Sequence, residues 1–406
     1  MVAKLEGKAQ PVGGKERILS LDIIRGFAIF GIFLVNMEDF RAPWLYLDIG
    51  QIWDRPADIA VQRFIDIFAQ ASFYTLFSFL FGYGMIIFME RAEAKGFAAS
   101  RLFARRLAVL LIIGILHAFF IWHGDILITY SIIGFILILF HKRSARTLAL
   151  TALAIIAVKV LLIGMMLTAV SMTDSGMEYN VSKHPMVYES IEIYGSGTYG
   201  EITSQRIKDW SYVNIAGGAG PVFLFLSLFP MFLLGAAASK ICLFQDTEDH
   251  HGFLLKIWIA AFAFAIVFKF LPYVIGHSPA ADYFQDEIGG PAAALFYASS
   301  IVLFTKKKTF SRLMSPFAAV GKMSISNYLL QSVIGTLIFY SYGLGLYGEV
   351  GPVPGTILVI CIFGLQAAAS IWWIKRYRFG PVEWLWRGLT YGSFQRFKRL
   401  ETEKEG

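Results

Sequence analysis

Cysteine, charged residues and the short signature motifs of soluble enzymes are all scarce in this chain. Its two cysteines, Cys242 and Cys361, are too few for a disulfide framework and say nothing about redox compartment. The sequence contains no Gly-rich phosphate loop ending in Lys-Ser/Thr, no Gly-x-Ser-x-Gly and no His-Glu-x-x-His. These absences argue against an ATPase, a hydrolase with a serine elbow and a zinc protease.

Apolar residues dominate what is present. Hydrophobic residues make up 56% of the 406 positions, only 16% are charged, and the mean hydropathy is +0.59. This balance is too apolar for the surface of a soluble globule and predicts an integral membrane protein whose main partner is the lipid bilayer. The net charge of +7 does not predict a nucleic-acid partner, because the Lys and Arg residues lie in short loops between apolar runs.

The apolar runs predict an all-α fold, a polytopic bundle of about ten transmembrane helices. A span needs about 20 mostly apolar residues. We place the spans at 18–38, 64–89, 104–122, 124–141, 147–170, 219–241, 253–276, 289–305, 317–342 and 354–376. The bundle, 18–376, would lie between basic tails at 1–17 and 377–406, and we expect its first run to be a retained helix rather than a signal peptide.

Loop charge predicts the orientation in the plasma membrane. If the N-terminus is cytoplasmic, the inner segments collect most of the Lys and Arg residues, and both termini are cytoplasmic. The outer segments then hold only Arg41, Arg55, Arg63, Lys183, Arg206 and Lys208. Two outer loops are long, 39–63 and 171–218; the second either folds over the mouth of a cavity or is a solvated connector.

Ionisable and amide side chains inside the spans are the candidate functional residues, because they are costly in hydrocarbon unless they face a partner or water. Asp22 and Arg25 share a helix face and can pair with each other or bind an anion; alternatively, Asp22 caps the helix and Arg25 reaches the interface. Asn36 needs hydrogen-bond partners near the outer end of the same helix. Asp66, near the start of the second span, joins them as a candidate for substrate or donor binding.

The third and fourth spans are joined by a turn that brings His117, His123 and Asp125 close together. A carboxylate can orient an imidazole and stabilise its charge, so this group is the best suited in the chain to general base work or proton transfer, and all three are candidate catalytic residues. The alternative is a structural hairpin, in which Asp125 caps the fourth helix and His117 makes a fixed hydrogen bond.

Two amide-bearing pairs lie on neighbouring helices near the C-terminus. Asn327 and Gln331 share a face of the ninth span, and Gln366 with Ser370 share a face of the tenth. Hydrogen bonds between the pairs would hold the helices together, and the first pair is also a candidate for substrate binding. We predict no metal site, since the acidic and histidine-rich stretch at 246–251 lies in a loop without a second ligand cluster. Lys159 and Lys269 receive no role.

Four motifs, in order, resemble the YeiB-like family of bacterial multi-pass membrane proteins. They are the first helix at 17–36, the Trp-His-Gly-Asp turn at 122–127, the Gly-Lys-Met-Ser stretch at 321–332 and the Gly-Pro-Val-Glu-Trp stretch at 380–391, with a family-type region over about 240–395. Through its first helix that family resembles membrane acyltransferases of the heparan-glucosaminide acetyltransferase type. The resemblance implies acyl-CoA as a co-substrate and no bound cofactor.

The chain departs from those acyltransferases at the presumed base. Asn36 stands where the sugar O-acylating enzymes carry His, and the following outer loop contains no His. Two hypotheses follow. In the first, an acyl group passes from a cytoplasmic donor held by Arg25 to an outer-face acceptor, with His117 or His123 as base. In the second, the protein is a proton-coupled transporter or exporter of a small solute or lipid-linked molecule, in which Asp22, Asp66 and Asp125 titrate.

Overall fold

The computed structural model describes residues 18–46, 52–173, 185–216 and 220–399, and helix is the regular secondary structure throughout these ranges. Eight helical stretches there are long and apolar enough to cross a membrane: Leu19–Arg41, Pro56–Ala94, Ala99–Phe120, Ala145–Met172, Gly220–Lys240, His251–Ile275, Pro279–Thr305 and Pro352–Arg376. Two shorter apolar helices, Leu127–Ile138 and Ser324–Phe339, complete the set. The predicted all-α, multi-pass bundle is confirmed.

The helices are numbered in chain order: α1 Leu19–Arg41, α2 Pro56–Phe68, α3 Ser72–Ala94, α4 Ala99–Phe120, α5 Leu127–Ile138, α6 Ala145–Thr173, α7 Pro185–Ser196, α8 Tyr199–Ser211, α9 Gly220–Lys240, α10 His251–Lys269, α11 Leu271–Ile275, α12 Pro279–Phe284, α13 Gly290–Thr305, α14 Lys308–Leu313, α15 Ser315–Lys322, α16 Ser324–Phe339, α17 Pro352–Arg376 and α18 Pro381–Tyr391. Short π-helical segments stand at Tyr212–Ala216 and Gln285–Gly289.

Several predicted spans are interrupted. The second predicted span begins earlier than expected and consists of two helices, α2 and α3. The break between them includes Ala71, which adopts a left-handed conformation with φ 56°. The ninth is divided into α15 and α16 by Met323, whose φ and ψ of −124° and 37° are not helical. Apolar runs indicate where a chain is buried, but they do not show such single-residue breaks.

The second long loop and the C-terminal segment contain more structure than the sequence predicted. Within 171–218, helices α7 and α8 form a cap over one end of the bundle, and α18 lies within the segment 377–406 that was expected to be a basic tail. The tail at 1–17 lies outside the described residues, as do 47–51, 174–184 and 217–219 of the two loops.

Close backbone contact joins α1 to α15. A Cβ atom on Gly26 would overlap the carbonyl of Phe317, and one on Gly321 would overlap the carbonyl of Asp22. Only glycine permits helices to approach this closely, as at small-residue contacts in membrane proteins. The contact sets the start of α1 beside α15, and this places Arg25 near Lys322.

The bundle has two ends that matter for the site. We call the end where α1 begins, near Arg25 and Arg106, the basic end, and the end where α1 finishes, near Asp39 and His117, the far end. Helices α6 and α10 lie at the periphery, with only 11% and 22% of their apolar windows buried, so most of their surface is available to lipid.

Candidate functional site

A cavity of about 280 Å³ opens at the basic end between α1, α3, α4, α5, α15, α16 and α18. The lining contains one acid, Glu383. It also contains six cationic residues: Arg25, Arg91, Lys95, Arg106, Lys322 and Arg387. Its inner walls are apolar and include Phe81, Leu110, Leu127 and Tyr130. The lining therefore combines a positive entrance with an apolar interior, which suits an anionic ligand that carries an apolar part.

Two of the cations are held by neighbouring side chains. Arg25 Nη1 donates to Asp22 Oδ1 over 3.2 Å, so the predicted pairing is confirmed and Arg25 also faces the cavity. The guanidinium of Arg106 lies 3.5 Å from the ring centre of Trp386, whose Nε1 donates to the Arg106 carbonyl over 2.8 Å. Stacking of this kind orients a guanidinium while its edge stays available for hydrogen bonds.

Glu383 is engaged with α16. Its Oε1 accepts hydrogen bonds from the backbone N–H groups of Ile325 (2.7 Å) and Ser326 (3.1 Å), and it thereby caps a helix that has no capping side chain of its own. Burial raises the pKa of Glu383, although these hydrogen bonds oppose the rise. The cavity therefore keeps its positive character.

At the far end, His117 and Asp125 form a buried dyad. Asp125 Oδ2 lies 2.8 Å from His117 Nδ1, and Asp125 Oδ1 accepts a 2.8 Å hydrogen bond from the N–H of Ile128 at the start of α5. His117 is 1% exposed, and its Nε2 has no hydrogen-bond partner among the described residues. The predicted contact and the predicted cap are both confirmed. With Nδ1–H donated to the carboxylate, Nε2 carries a lone pair and can act as a base.

A glycine allows the dyad to form. A Cβ on Gly114 of α4 would lie 2.8 Å from the backbone nitrogen of Ile128 and 3.0 Å from Asp125 Oδ1. Glycine at this position lets α5 approach α4 closely enough for the carboxylate to reach the imidazole.

His123 does not join the dyad, although the sequence placed it there. Its Nε2 lies 2.9 Å from Asp39 Oδ2 and its Nδ1 lies 3.9 Å from Asp209 Oδ2 of the cap. Burial lowers the pKa of His123, but the two carboxylates outweigh burial and raise it overall. The imidazole connects α1 to the cap through these two carboxylates, and the structure shows His123 in this contact rather than in the dyad.

The remaining candidates have other hydrogen-bond partners or lie elsewhere along their helices. Asn327 Nδ2 donates to Ser370 Oγ over 3.1 Å, and Gln331 Nε2 donates to Gln366 Oε1 over 3.0 Å, which confirms the predicted contact of α16 with α17. Asn36 is half-buried and, at 1.5 Å per residue, lies about 17 Å along α1 from Arg25. Asp66 accepts hydrogen bonds from other helices, described below.

The chain is similar over almost its whole length to several bacterial proteins. It is 38% identical over 399 residues to uncharacterized protein YxaH of Bacillus subtilis, covering 95% of this chain and 97% of that protein. It is 30% identical to uncharacterized protein YeiB of Escherichia coli, covering 92% and 96%. A family described as a protein of unknown function, DUF418, matches residues 238–393. The chain belongs to the YeiB-like family.

The DUF418 match covers part of the site of this YeiB-like protein, whereas the full-length likeness covers all of it. Residues 238–393 include α16 and α18, and hence Glu383 and Trp386, whereas Arg25 and the His117–Asp125 dyad lie before it. The cavity is thus built from both halves of the chain, and the two relatives align with both.

The cavity lining does not include the dyad, and Tyr328 packs against His117. The lining includes Arg25 but not His117, Asp125 or Asn36. Leu110 is the lining residue of α4 nearest to His117, about 10 Å away along the helix axis. The Tyr328 ring centre lies 5.2 Å from that of His117, and its hydroxyl donates to the Gly124 carbonyl over 3.3 Å.

Sequence reasoning missed Tyr328, Glu383, Trp386 and Arg387. All four lie in the two C-terminal motifs that carried the family resemblance, so the signal was present. Their roles depend on how α16 and α18 fold back against α4, which no local spacing in the sequence shows.

Proposed function

We propose that this protein transfers an acyl group from an anionic thioester donor such as acyl-CoA, bound at the basic end, to a hydroxyl or amine acceptor at the far end. The observation that carries the proposal is the His117 Nε2, which is buried, has no hydrogen-bond partner among the described residues and is oriented by Asp125. Because no protein group donates a hydrogen bond to this nitrogen, its lone pair is available to take a proton from a substrate.

The basic-end cavity supports the donor half of the proposal. Arg and Lys side chains form charge-assisted hydrogen bonds with phosphate oxygens, and Arg25 and Arg106 stand at its mouth with four further cations. The apolar lining around Leu110 and Leu127 suits an acyl chain. In the predicted orientation this end is cytoplasmic, where acyl donors of this class are made available.

The dyad supports the transfer step. The acceptor oxygen or nitrogen would attack the thioester carbonyl carbon while its proton moves to His117 Nε2. When the C–S bond breaks, the imidazolium returns that proton to the departing sulfur. Asp125 stabilises the imidazolium and keeps Nδ1 protonated. Because the Tyr328 ring packs against the His117 imidazole, we expect this side chain to move when the donor brings its carbonyl to Nε2.

Binding and turnover test the two halves separately. Replacing Arg106 by Gln removes a charge-assisted contact of about 1.5–3 kcal/mol, which corresponds to a roughly ten- to hundredfold weaker Kd for an acyl-CoA analogue in calorimetry on the purified protein. Arg312→Gln, an exposed cation that does not line the cavity, is the matched control. Equal binding by both variants would refute the donor site.

His117→Ala should bind the donor normally but stop its consumption. The folded state is checked by gel filtration and thermal unfolding, because a buried imidazole is being removed. Undiminished consumption of acyl-CoA by a folded His117→Ala protein would refute the role of the dyad.

Proton-coupled transport is the second candidate, and one observation favours it. Asp66 lies half-buried among membrane-spanning helices and accepts hydrogen bonds from Tyr273 (2.7 Å) and Gln285 (2.6 Å). Asp22 and Asp125, the other carboxylates expected to titrate in a transporter, are engaged with Arg25 and His117. Transport predicts flux driven by a pH gradient in proteoliposomes without any acyl donor, and acyl transfer predicts none.

A further inference from the structure

The cap at the far end is polar on the face that it buries. Helix α8 begins with a capping box, in which the N–H of Glu201 donates to Thr198 Oγ1 and the N–H of Thr198 donates to Glu201 Oε2. The buried residues of α8 share one face and are Ile202, Gln205, Arg206 and Asp209. Three of these four are polar, so this face needs polar partners or a ligand.

Asp209 finds its partners within the protein. Its carboxylate accepts hydrogen bonds from Tyr46 (2.7 Å), Tyr194 (2.6 Å) and Gln205 (2.8 Å). Asp39 at the end of α1 lies 2.9 Å from His123 Nε2. These two carboxylates are therefore engaged with residues other than Arg206.

Arg206 is buried without an equivalent set of partners. It is 0% exposed, and its Nη1 donates to the Phe119 carbonyl at the end of α4 over 2.9 Å. Its Nε and Nη2 are buried and have no hydrogen-bond partner among the described residues. These two groups share one edge of the guanidinium plane, and such an edge binds a carboxylate or a phosphate through two parallel hydrogen bonds. An unpaired buried cation is costly, so an anionic ligand would gain most here.

Aromatic side chains contact the guanidinium and offer access to it. The Arg206 Cζ atom lies 5.3 Å from the ring centre of Tyr199, and the ring centres of Tyr199 and Tyr342 are 5.6 Å apart. These two tyrosines are 48% and 37% exposed. Because Tyr199 both contacts Arg206 and reaches the surface, a change in its rotamer would open the guanidinium to a ligand.

A second polar group without a partner lies near Arg206. Tyr340 follows α16 directly, is 0% exposed, and its hydroxyl has no hydrogen-bond partner among the described residues. Burial and the charge of Asp39 raise the pKa of Tyr340, and the charge of Arg206 opposes that rise. The phenol therefore keeps its proton and can donate to an anion. Arg206 and Tyr340 together leave three buried polar atoms unpaired at the far end.

We propose that Arg206 and Tyr340 bind a carboxylate or phosphate group of a ligand at the far end. Arg206 donates from Nε and Nη2 to two oxygens of the anion, and Tyr340 donates a further hydrogen bond. Phe119, to which Arg206 is bonded, comes two residues after His117 in α4, about 3 Å along the helix axis. An acceptor that carries the anionic group would therefore be held at the same end as the proposed base. Only this naming of the ligand as the acceptor rests on the proposed function.

Calorimetry on the full chain in phosphatidylcholine nanodiscs tests the site without any acyl donor. Glycerol phosphate and lactate are the anionic probes, and glycerol is their uncharged match. Arg206→Gln can still donate to the Phe119 carbonyl but loses the charged edge, so its Kd for the anionic probes should be roughly ten- to hundredfold weaker. Lys208→Gln removes an exposed cation of the same helix and should bind as the wild type does. A wild-type protein that binds the anionic probes no better than glycerol, or equal binding by Arg206→Gln, would overturn the proposal.

Thermal unfolding separates a ligand site from a purely structural cap of α4. Because Nε and Nη2 are unpaired in the free protein, Arg206→Gln should unfold at the wild-type temperature or above it, and glycerol phosphate should raise the unfolding temperature of the wild type alone. A lower unfolding temperature with undiminished probe binding would show a cap and overturn the proposal. If Arg206→Gln does not fold, Tyr340→Phe replaces it: a few-fold weaker Kd supports the site, and an unchanged Kd overturns it.

Two further measurements identify the source of the anion and separate this site from the chemistry of the dyad. In native mass spectrometry after extraction from phosphatidylglycerol vesicles, a lipid retained by the wild type and lost from Arg206→Gln would support the site as one for a lipid headgroup. Binding of the soluble probes without retained lipid would support it as one for a solute. Acylation of a bound probe is measured separately with acyl-CoA, so its absence would refute the proposed function and leave the anion site in place.

Discussion

Replacing Asp125 by Asn separates the structural role of this residue from its proposed chemical role. An Asn side chain can keep the Oδ1 contact that caps α5 through the N–H of Ile128, but it presents an NH₂ donor to His117 Nδ1 in place of a carboxylate oxygen. The imidazole must then accept at Nδ1 and carry its proton on Nε2. The base would lose its lone pair while the hairpin keeps its cap.

The expected magnitudes differ sharply for the two roles. Loss of one charge-assisted hydrogen bond costs about 1.5–3 kcal/mol of stability, whereas reversing the tautomer of a catalytic histidine costs roughly 10⁴-fold in rate in the serine-protease case. Asp125→Ala also loses the cap, which adds about 0.5–2 kcal/mol. We therefore expect Asp125→Asn to remain folded and to be almost inactive.

The assay combines turnover of an acyl-CoA with the ¹⁵N chemical shifts of the His117 ring, which report the tautomer directly. Asp39→Asn, which alters the neighbouring His123 instead, is the matched control and should leave the His117 tautomer unchanged. If Asp125→Asn kept the wild-type rate, or lost activity with an unchanged His117 tautomer, the reasoning from the dyad would be refuted.

Three other predictions concern the elements that hold the site. Gly114→Ala should cost about 1–3 kcal/mol in thermal unfolding through overpacking against α5, whereas Gly364→Ala, where a Cβ meets nothing within 4 Å, should be neutral or slightly stabilising; equal effects would contradict the close contact. Glu383→Ala should destabilise the protein by about 1–3 kcal/mol because two backbone N–H groups of α16 lose their acceptor, and denaturant unfolding measures this. Because the folded-state pKa of His123 is raised, its stabilisation of the cap is fully present below the ordinary histidine pKa and is lost as the pH rises through the raised value. Amide exchange in α8 should accelerate over that rise, and Asp39→Asn should weaken the dependence; a flat profile in the wild type would argue against the ion pair.

The sequence predicted the features that depend on composition and on residues near one another in the chain. Apolar runs predicted the bundle, and the short turn between α4 and α5 predicted the contact of His117 with Asp125. The i,i+3 and i,i+4 spacings predicted the Asp22–Arg25 pair and the amide contacts of α16 with α17. Each of these follows from helix geometry over a few residues.

Features that depend on distant segments were missed or misplaced. His123 turns toward Asp39 and Asp209 because the α8 cap lies over the end of α1, and the sequence could not place that cap. Lys159 and Lys269 were given no role because their partners, Glu287 and Asp286, both lie in the π-helical segment Gln285–Gly289. That segment is more than a hundred residues from Lys159 in the sequence, and it follows Lys269 in the next hairpin. Their pairing depends on tertiary contact alone.

The most direct test of the account is a cryo-electron microscopy structure of the full chain with a non-hydrolysable acyl-CoA analogue. The account predicts phosphate density beside Arg25 and Arg106, a displaced Tyr328 side chain, and the thioester carbonyl within about 4 Å of His117 Nε2, the reach of a near-attack arrangement. An analogue that binds elsewhere, or one that fills the basic-end cavity while its carbonyl stays remote from His117 Nε2, would contradict the proposed transfer.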